Sequence, residues 1–219
     1  MTAENLLPPA PWQLEAHIRG LLVPPTSAAA LSLEVATTMS TPALLNHSIR
    51  SFAFGAELAR EEGIDFDPEL LFVASMLHDI SLMPTFDSAT VPFEEAGGQI
   101  AWVFAAGAGW SRSRRERVSE VIVRHMWTEV DVALDAEGHL LERATSLDVS
   151  GAAPGDWTPE FRAGVVARVP RLDFAAEFTR CIVDQAQRKP TSGAARTVRS
   201  GLPERAAANV LDGLAPAQP

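Results

Sequence analysis

Residues 44–82 read LLNHSIRSFAFGAELAREEGIDFDPELLFVASMLHDISL, and this stretch decides the fold. In its first half Leu44, His47, Ser51 and Phe54 recur at steps of three and four, the spacing at which helical side chains share a face. The imidazole of His47 is therefore aimed at an interior and needs a partner there. In the second half, Asp67-Pro68 puts a capping oxygen just before a proline suited to the first helical position. The helix that follows is apolar from Leu70 to Leu77 and ends in the adjacent pair His78-Asp79. One turn earlier, Ala74 and Ser75 are small enough to let another helix approach closely.

The same 3.6-residue period recurs in both directions along the chain, and alternating β-branched runs are nearly absent. Thr41-Pro42 and Thr158-Pro159 repeat the start signal of Asp67-Pro68. Ser113 with Glu116 reads as a capping box ahead of Val118, Val121, Ile122 and His125. Helices are expected near 12–22, 27–39, 41–62, 68–80, 92–107, 114–127, 141–149, 159–168, 173–188 and 203–213. The fold class is all-α, a single globular helical bundle. Within it, residues 1–40 are expected as N-terminal helices packed on the core, 41–190 as the main helical domain, and 191–219 as a loosely attached tail rich in Pro, Gly, Ser and Ala. Segments 81–91 and 128–140 are the longer loops.

Asp148, in ATSLDVSG, repeats the anomaly of His78-Asp79: an acid between Leu147 and Val149 where a core residue would be expected. A buried ionised carboxylate costs several kcal/mol unless it is paired or bound to a cation. Two imidazoles and two carboxylates suit a divalent first-row ion, with positions left for water. The alternative is structural: His78-Asp79 as a hydrogen-bonded helix end, and His47 and Asp148 as satisfied core groups.

The order His, about thirty residues, His-Asp, then a distant Asp, all on helices, resembles the HD-domain metal-dependent hydrolases. Within them, NHSIRSFAFGAELAREEGIDFDPELLFVASMLHDISL, LDVSG, ARVPRLDF and CIVDQAQRKP are similar to the cyanamide hydratase-like group, from about residue 40 to 190. The resemblance implies coordination of one divalent ion by His47, His78, Asp79 and Asp148, zinc first, with manganese, iron or nickel as alternatives. It places Asn46 and His125 at the substrate pocket; His125 and Asp79 are the expected catalytic residues, and Asn46, Arg50 and Thr128 the expected substrate contacts. The stretch ISLMPTFDSATVPFEEAGG is longer than the link expected after His78-Asp79, and IVRHMWTE stands where a His-Thr pairing is more usual, which leaves the substrate open.

The expected chemistry is attack of an activated water on a small nitrile-type compound such as cyanamide, with His125 or an acid of the cluster supplying the proton. A phosphomonoester or nucleotide hydrolase is the alternative, with Arg50, Arg124 and Arg171 as the available clamps, although Arg50 also suits a structural pairing with a carboxylate. A two-iron oxygenase would need more histidines than His125 and His139 between the His-Asp pair and Asp148. A non-catalytic binding module with a remnant site is the reading from another class.

Composition narrows the partners. The formal charge is −10, and of 18 cationic residues only Lys189 is a lysine, which argues against nucleic acid. No apolar run approaches the length of a membrane span, and the first twenty residues lack a basic start and an apolar stretch, so a cytoplasmic location is expected. Cys181 is the single cysteine and is expected to be buried and inert. Trp102, Trp110, Trp127 and Trp157 are assigned to packing, and His17 and His139 to the surface. Val103 to Ala106 offer one face for a possible homo-oligomer.

Overall fold

A computed structural model describes residues 10–214, and the expected all-α class holds: these residues form eleven α-helices and no strand. They are α1 (Pro11–Leu21), α2 (Ser27–Met39), α3 (Pro42–Glu62), α4 (Pro68–Leu77), α5 (Phe93–Gly107), α6 (Arg112–Arg124), α7 (Ala136–Ser150), α8 (Pro159–Arg168), α9 (Phe174–Arg188), α10 (Gly193–Arg199) and α11 (Leu202–Ala207). No helix among the described residues is long and apolar enough to cross a membrane.

The three Thr/Asp-Pro starts behave as their chemistry requires. Thr41, Asp67 and Thr158 each accept the backbone N–H three residues on, and each following proline takes the first helical position. The long helix α3 lies at the centre, packed on α4 and α7, while α5 packs on α6 and α2 on α4. The core that results is led by Phe54, Leu58, Leu71, Met76 and Leu77. α1 and α2 lie against it through Ile18, Ala29 and Ala36, all buried.

α4 stops at Leu77, three residues short of the expected end, and a 3₁₀ turn spans Ile80–Leu82. Asp79, at φ −106° and ψ 4°, occupies the bridge region in which active-site residues often sit. The end of α4 is also crowded. A Cβ on Gly97 of α5 would lie 2.9 Å from the His78 carbonyl oxygen, so only glycine lets α5 approach here. Gly97→Ala must displace backbone, and is expected to cost about 1–3 kcal/mol in urea denaturation. A variant as stable as the wild type would contradict this packing.

Two helix starts differ from expectation. Ser111, not Ser113, caps α6, its Oγ accepting the Arg114 N–H at 3.3 Å. Gly109, at φ 79°, turns the chain one step earlier and buries Trp110 ahead of the cap. α7 starts at Ala136 because Asp135 caps it through the Gly138 N–H at 2.6 Å, and a Cβ on Gly138 would collide with that carboxylate. Burial would raise the Asp135 carboxyl, but hydrogen bonds from Arg117, Arg124 and Gly138 hold it below its ordinary value. Its contribution to stability is thus complete above the unfolded carboxyl value of about 4, and is lost as pH falls through the depressed folded value. Asp135→Asn should flatten the acid limb of a stability-against-pH curve; an unchanged limb would refute the assignment.

The tail is not loosely attached. Ser192 caps α10, which packs on α9, and Ala194, Ala195, Leu202, Ala206 and Leu211 are buried. The alanines that make this segment read as a linker are helix formers with a small apolar face, which suits close packing. Residues 215–219 of the expected tail, and 1–9 of the expected N-terminal region, lie outside the described residues.

Candidate metal centre

Three of the expected side chains converge. His47 comes from the middle of α3, and His78 and Asp79 from the end of α4; all three are buried. The ring nitrogens can be assigned from their partners. Nδ1 of His78 lies 2.8 Å from the Ser75 carbonyl, and Nδ1 of His47 lies 2.7 Å from Asp148 Oδ2. Those oxygens only accept, so each Nδ1 donates, and each Nε2 of a neutral ring is left with a lone pair.

The two Nε2 atoms face one another at 3.0 Å. Asp79 Oδ2 is 3.2 Å from that of His78 and 3.5 Å from that of His47. Neither Asp79 oxygen has a hydrogen-bond partner, although both are buried. Lone pairs and an unpartnered carboxylate at such separations repel unless a positive charge lies among them. The spacings match those between neighbouring ligands on an ion with bonds of about 2.1 Å. Burial lowers the pKa of His47, but Asp148 and Asp79 outweigh it and the net shift is upward, so without an ion a proton is drawn to this point. For Asp79, burial is outweighed by the His78 and His47 rings, which hold the carboxyl well below the usual range.

Asp148 is not brought to that point. It lies behind His47, where Oδ2 accepts from His47 Nδ1 and from Arg50 Nη2 at 2.7 Å, and Oδ1 accepts from Arg50 Nε at 2.8 Å and Arg171 Nη1 at 3.1 Å. Burial would raise its pKa, but Arg50, His47 and Arg171 hold it far below the usual range. With both oxygens engaged by these donors, Asp148 stands outside the His47, His78 and Asp79 cluster and braces His47 from behind, as outer partners of a ligand do. Phe174 completes the support by stacking on the His47 ring, centroids 4.4 Å apart and planes 15° apart.

The substrate assignments need correction. The Arg50 guanidinium is fully buried on Asp148 and on the Val169 and Pro170 carbonyls, beyond reach of a diffusing molecule. Asn46 donates to the Pro170 carbonyl at 2.8 Å, and Thr128 is exposed outside the cavity. What lines the cavity beside the cluster is Thr145, Ser146 and Val149 of α7, Phe178 and Ile182 of α9, Thr197 and Leu202 of the tail, and His125, Met126 and Trp127. Arg205 stands among the lining residues as their one arginine, and the cavity holds about 120 Å³. Thr145 was within reach of the sequence, since it sits one turn before Asp148 on the same helix face. The tail residues carried no such signal.

His125 lies beside the cluster, in the cavity wall. Its Nδ1 donates to the Ile122 carbonyl, and its Nε2 lies 3.8 Å from Asp79 Oδ1. Burial first, then the adjacent His78, pushes it down to about 4, so the ring is uncharged at neutral pH. Of the remaining expectations, Trp110 and Trp157 are buried, but Trp127 is half exposed at the cavity. His17 and His139 are only partly exposed, bonded to Glu57 and to the Val130 carbonyl. Cys181 is part-buried, and burial together with the nearby Glu177 and Asp79 pushes its thiol up, as for an unreactive side chain.

A sequence profile of the HD domain matches residues 44–145, which include the three converging residues and stop short of Asp148. Cyanamide hydratases DDI2 and DDI3 of Saccharomyces cerevisiae are each 30% identical to this chain over 178 residues, which span 78% of the chain and 79% of each relative. The chain belongs to the HD-domain family. Membership and the His-His-Asp cluster together make it a metal-dependent hydrolase with a divalent ion as cofactor. In this HD domain the clustered His47, His78 and Asp79 come from α3 and the end of α4, and the residues that brace His47 come from α7 and the 169–174 turn.

Proposed function

We propose that this HD-domain chain is a hydratase for a small nitrile-type substrate, cyanamide being the leading candidate, with zinc as its ion. The observation that carries the reading is the cavity: about 120 Å³ is well below the ~300–1,000 Å³ of pockets that hold drug-sized ligands, and suits a small substrate better than a nucleotide. The three arginines expected from the sequence as phosphate clamps are engaged elsewhere, Arg50 and Arg171 on Asp148 and Arg124 on Asp135, and Arg205 of the cavity wall bonds the Ser200 carbonyl. The two yeast relatives bear the name cyanamide hydratase, which supports the same substrate class. A cytoplasmic location belongs to the proposal as well.

A divalent ion bound among His47, His78 and Asp79 would supply Lewis acidity and lower the pKa of water toward neutrality. His125 Nε2 accepts the proton released as water oxygen adds to the nitrile carbon, and returns it to the nitrile nitrogen as one carbon–nitrogen bond order is lost. Addition to cyanamide in this way gives urea after tautomerisation. The Thr145 hydroxyl spends its hydrogen on the Leu141 and Glu142 carbonyls, so its lone pairs are free to accept from the substrate amino group. Phe178, Ile182 and Val149 keep further water from the reacting carbon.

A panel of cyanamide, simple nitriles, p-nitrophenyl phosphate and deoxynucleotides tests the reading. Urea should form from cyanamide and be absent with His47→Ala. Turnover of the phosphates alone would overturn the substrate class. Less than about 0.2 equivalents of metal, with no gain on reconstitution, would favour a binding module.

A further inference from the structure

We infer that Arg171 is a positioning residue of the metal centre, through which the C-terminal turn Asn209–Asp212 fixes the His47 imidazole. The inference rests on the metal site of the reading above and is independent of the substrate. Arg50 already meets Asp148 with two parallel hydrogen bonds and neutralises its charge. A second buried guanidinium on the same carboxylate is surplus as charge, so its placement calls for another account.

That account is mechanical. Arg171 Nη1 donates to both the backbone carbonyl and Oδ1 of Asp148, while its Nε donates to Asp212. Asn209 Nδ2 donates to the same Asp148 carbonyl at 3.0 Å and to that of Leu147 at 3.2 Å. The end of α7 is thereby gripped from two sides by the tail, and Asp148 passes that constraint to His47 Nδ1 at 2.7 Å. The backbone beside Arg171 is strained to the same end. Leu172 sits at φ 52°, a left-handed conformation that is strained for a leucine and persists only where neighbours over-determine it. This turn directs Arg171 to Asp148 and Phe174 to the face of His47.

The test uses the full chain, with zinc affinity read by chelator competition and the visible spectrum of the cobalt-loaded protein as a second readout. Arg171→Gln should weaken zinc binding about 10-fold, the low end of the loss seen when a ligand's direct outer partner is removed, because it acts through Asp148, and should shift the cobalt bands. Asp212→Asn, at a half-exposed carboxylate, should move both readouts the same way by about threefold, and decides the matter if Arg171→Gln does not fold. Arg188→Gln, which breaks an ion pair with Asp87 away from the site, should change neither. Wild-type zinc affinity with an unchanged cobalt spectrum in Arg171→Gln, or in Asp212→Asn where only that variant folds, overturns the inference. A wild-type protein that binds zinc but leaves cyanamide intact sinks the proposed substrate and leaves this comparison readable. A wild-type protein that binds neither metal sinks both.

Discussion

Asp79→Ala protein should be recovered with less than about 0.1 equivalents of transition metal, and with cyanamide turnover reduced by about three orders of magnitude. The variant should nonetheless fold. The Asp79 oxygens have no hydrogen bond to lose, and only their charge interaction with the His78 and His47 rings goes with them, so the metal-free variant should melt somewhat below the metal-free wild type but still unfold cooperatively. Added zinc should raise the melting temperature of the wild type only, since an ion that binds the native state alone stabilises it by mass action. Elemental analysis and thermal unfolding with and without zinc are sufficient. Full metal occupancy in the variant would mean that the ion sits elsewhere.

Asp148→Ala should do the opposite: its first effect is on the fold. Arg50 is fully buried, and removing its carboxylate leaves an unpaired charge in the core, which costs about 3–5 kcal/mol. For a domain of this size that corresponds to a fall of about 10 °C in melting temperature. The sign with pH follows from the depressed carboxyl of Asp148. Its contribution is complete above the unfolded value of about 4 and declines only as pH drops toward the folded value. The stability gap between wild type and variant should therefore be constant from alkaline pH to about 5 and narrow below that. A variant as stable as the wild type would show that Arg50 finds another partner. The two buried aspartates are thus distinguishable at the bench, one holding positive charge that must be supplied and one already holding two guanidinium groups.

Much of this was legible in the residues themselves. His47 could be placed inward because Leu44, Ser51 and Phe54 share its face, and Asp67-Pro68 marked the start of the helix that delivers His78 and Asp79. The three that converge are those whose placement depends on local periodicity or adjacency. Asp148 was equally recognisable as a buried acid, yet nothing local says on which side of the His47 ring it arrives; that is set by Arg171 and Asn209, far away in sequence. Arg50 shows the same limit, since its spacing from His47 allowed a phosphate or a carboxylate and only tertiary packing chose the carboxylate. The α10–α11 segment was hidden by composition, because an alanine-rich stretch reads as linker until the helix it packs against is known.

The grip of the last turn on Asp148 has a consequence for biosynthesis. His47, His78 and Asp79 leave the ribosome early, but the struts that hold His47 in place span residues 148, 171, 209 and 212. Domains fold as the nascent chain emerges from its N-terminal side, so this centre reaches its final shape only once translation has passed residue 212. If those struts act as inferred, full metal affinity is reached only after residue 212 has emerged, and chains truncated before α11 should bind zinc more weakly than the full chain.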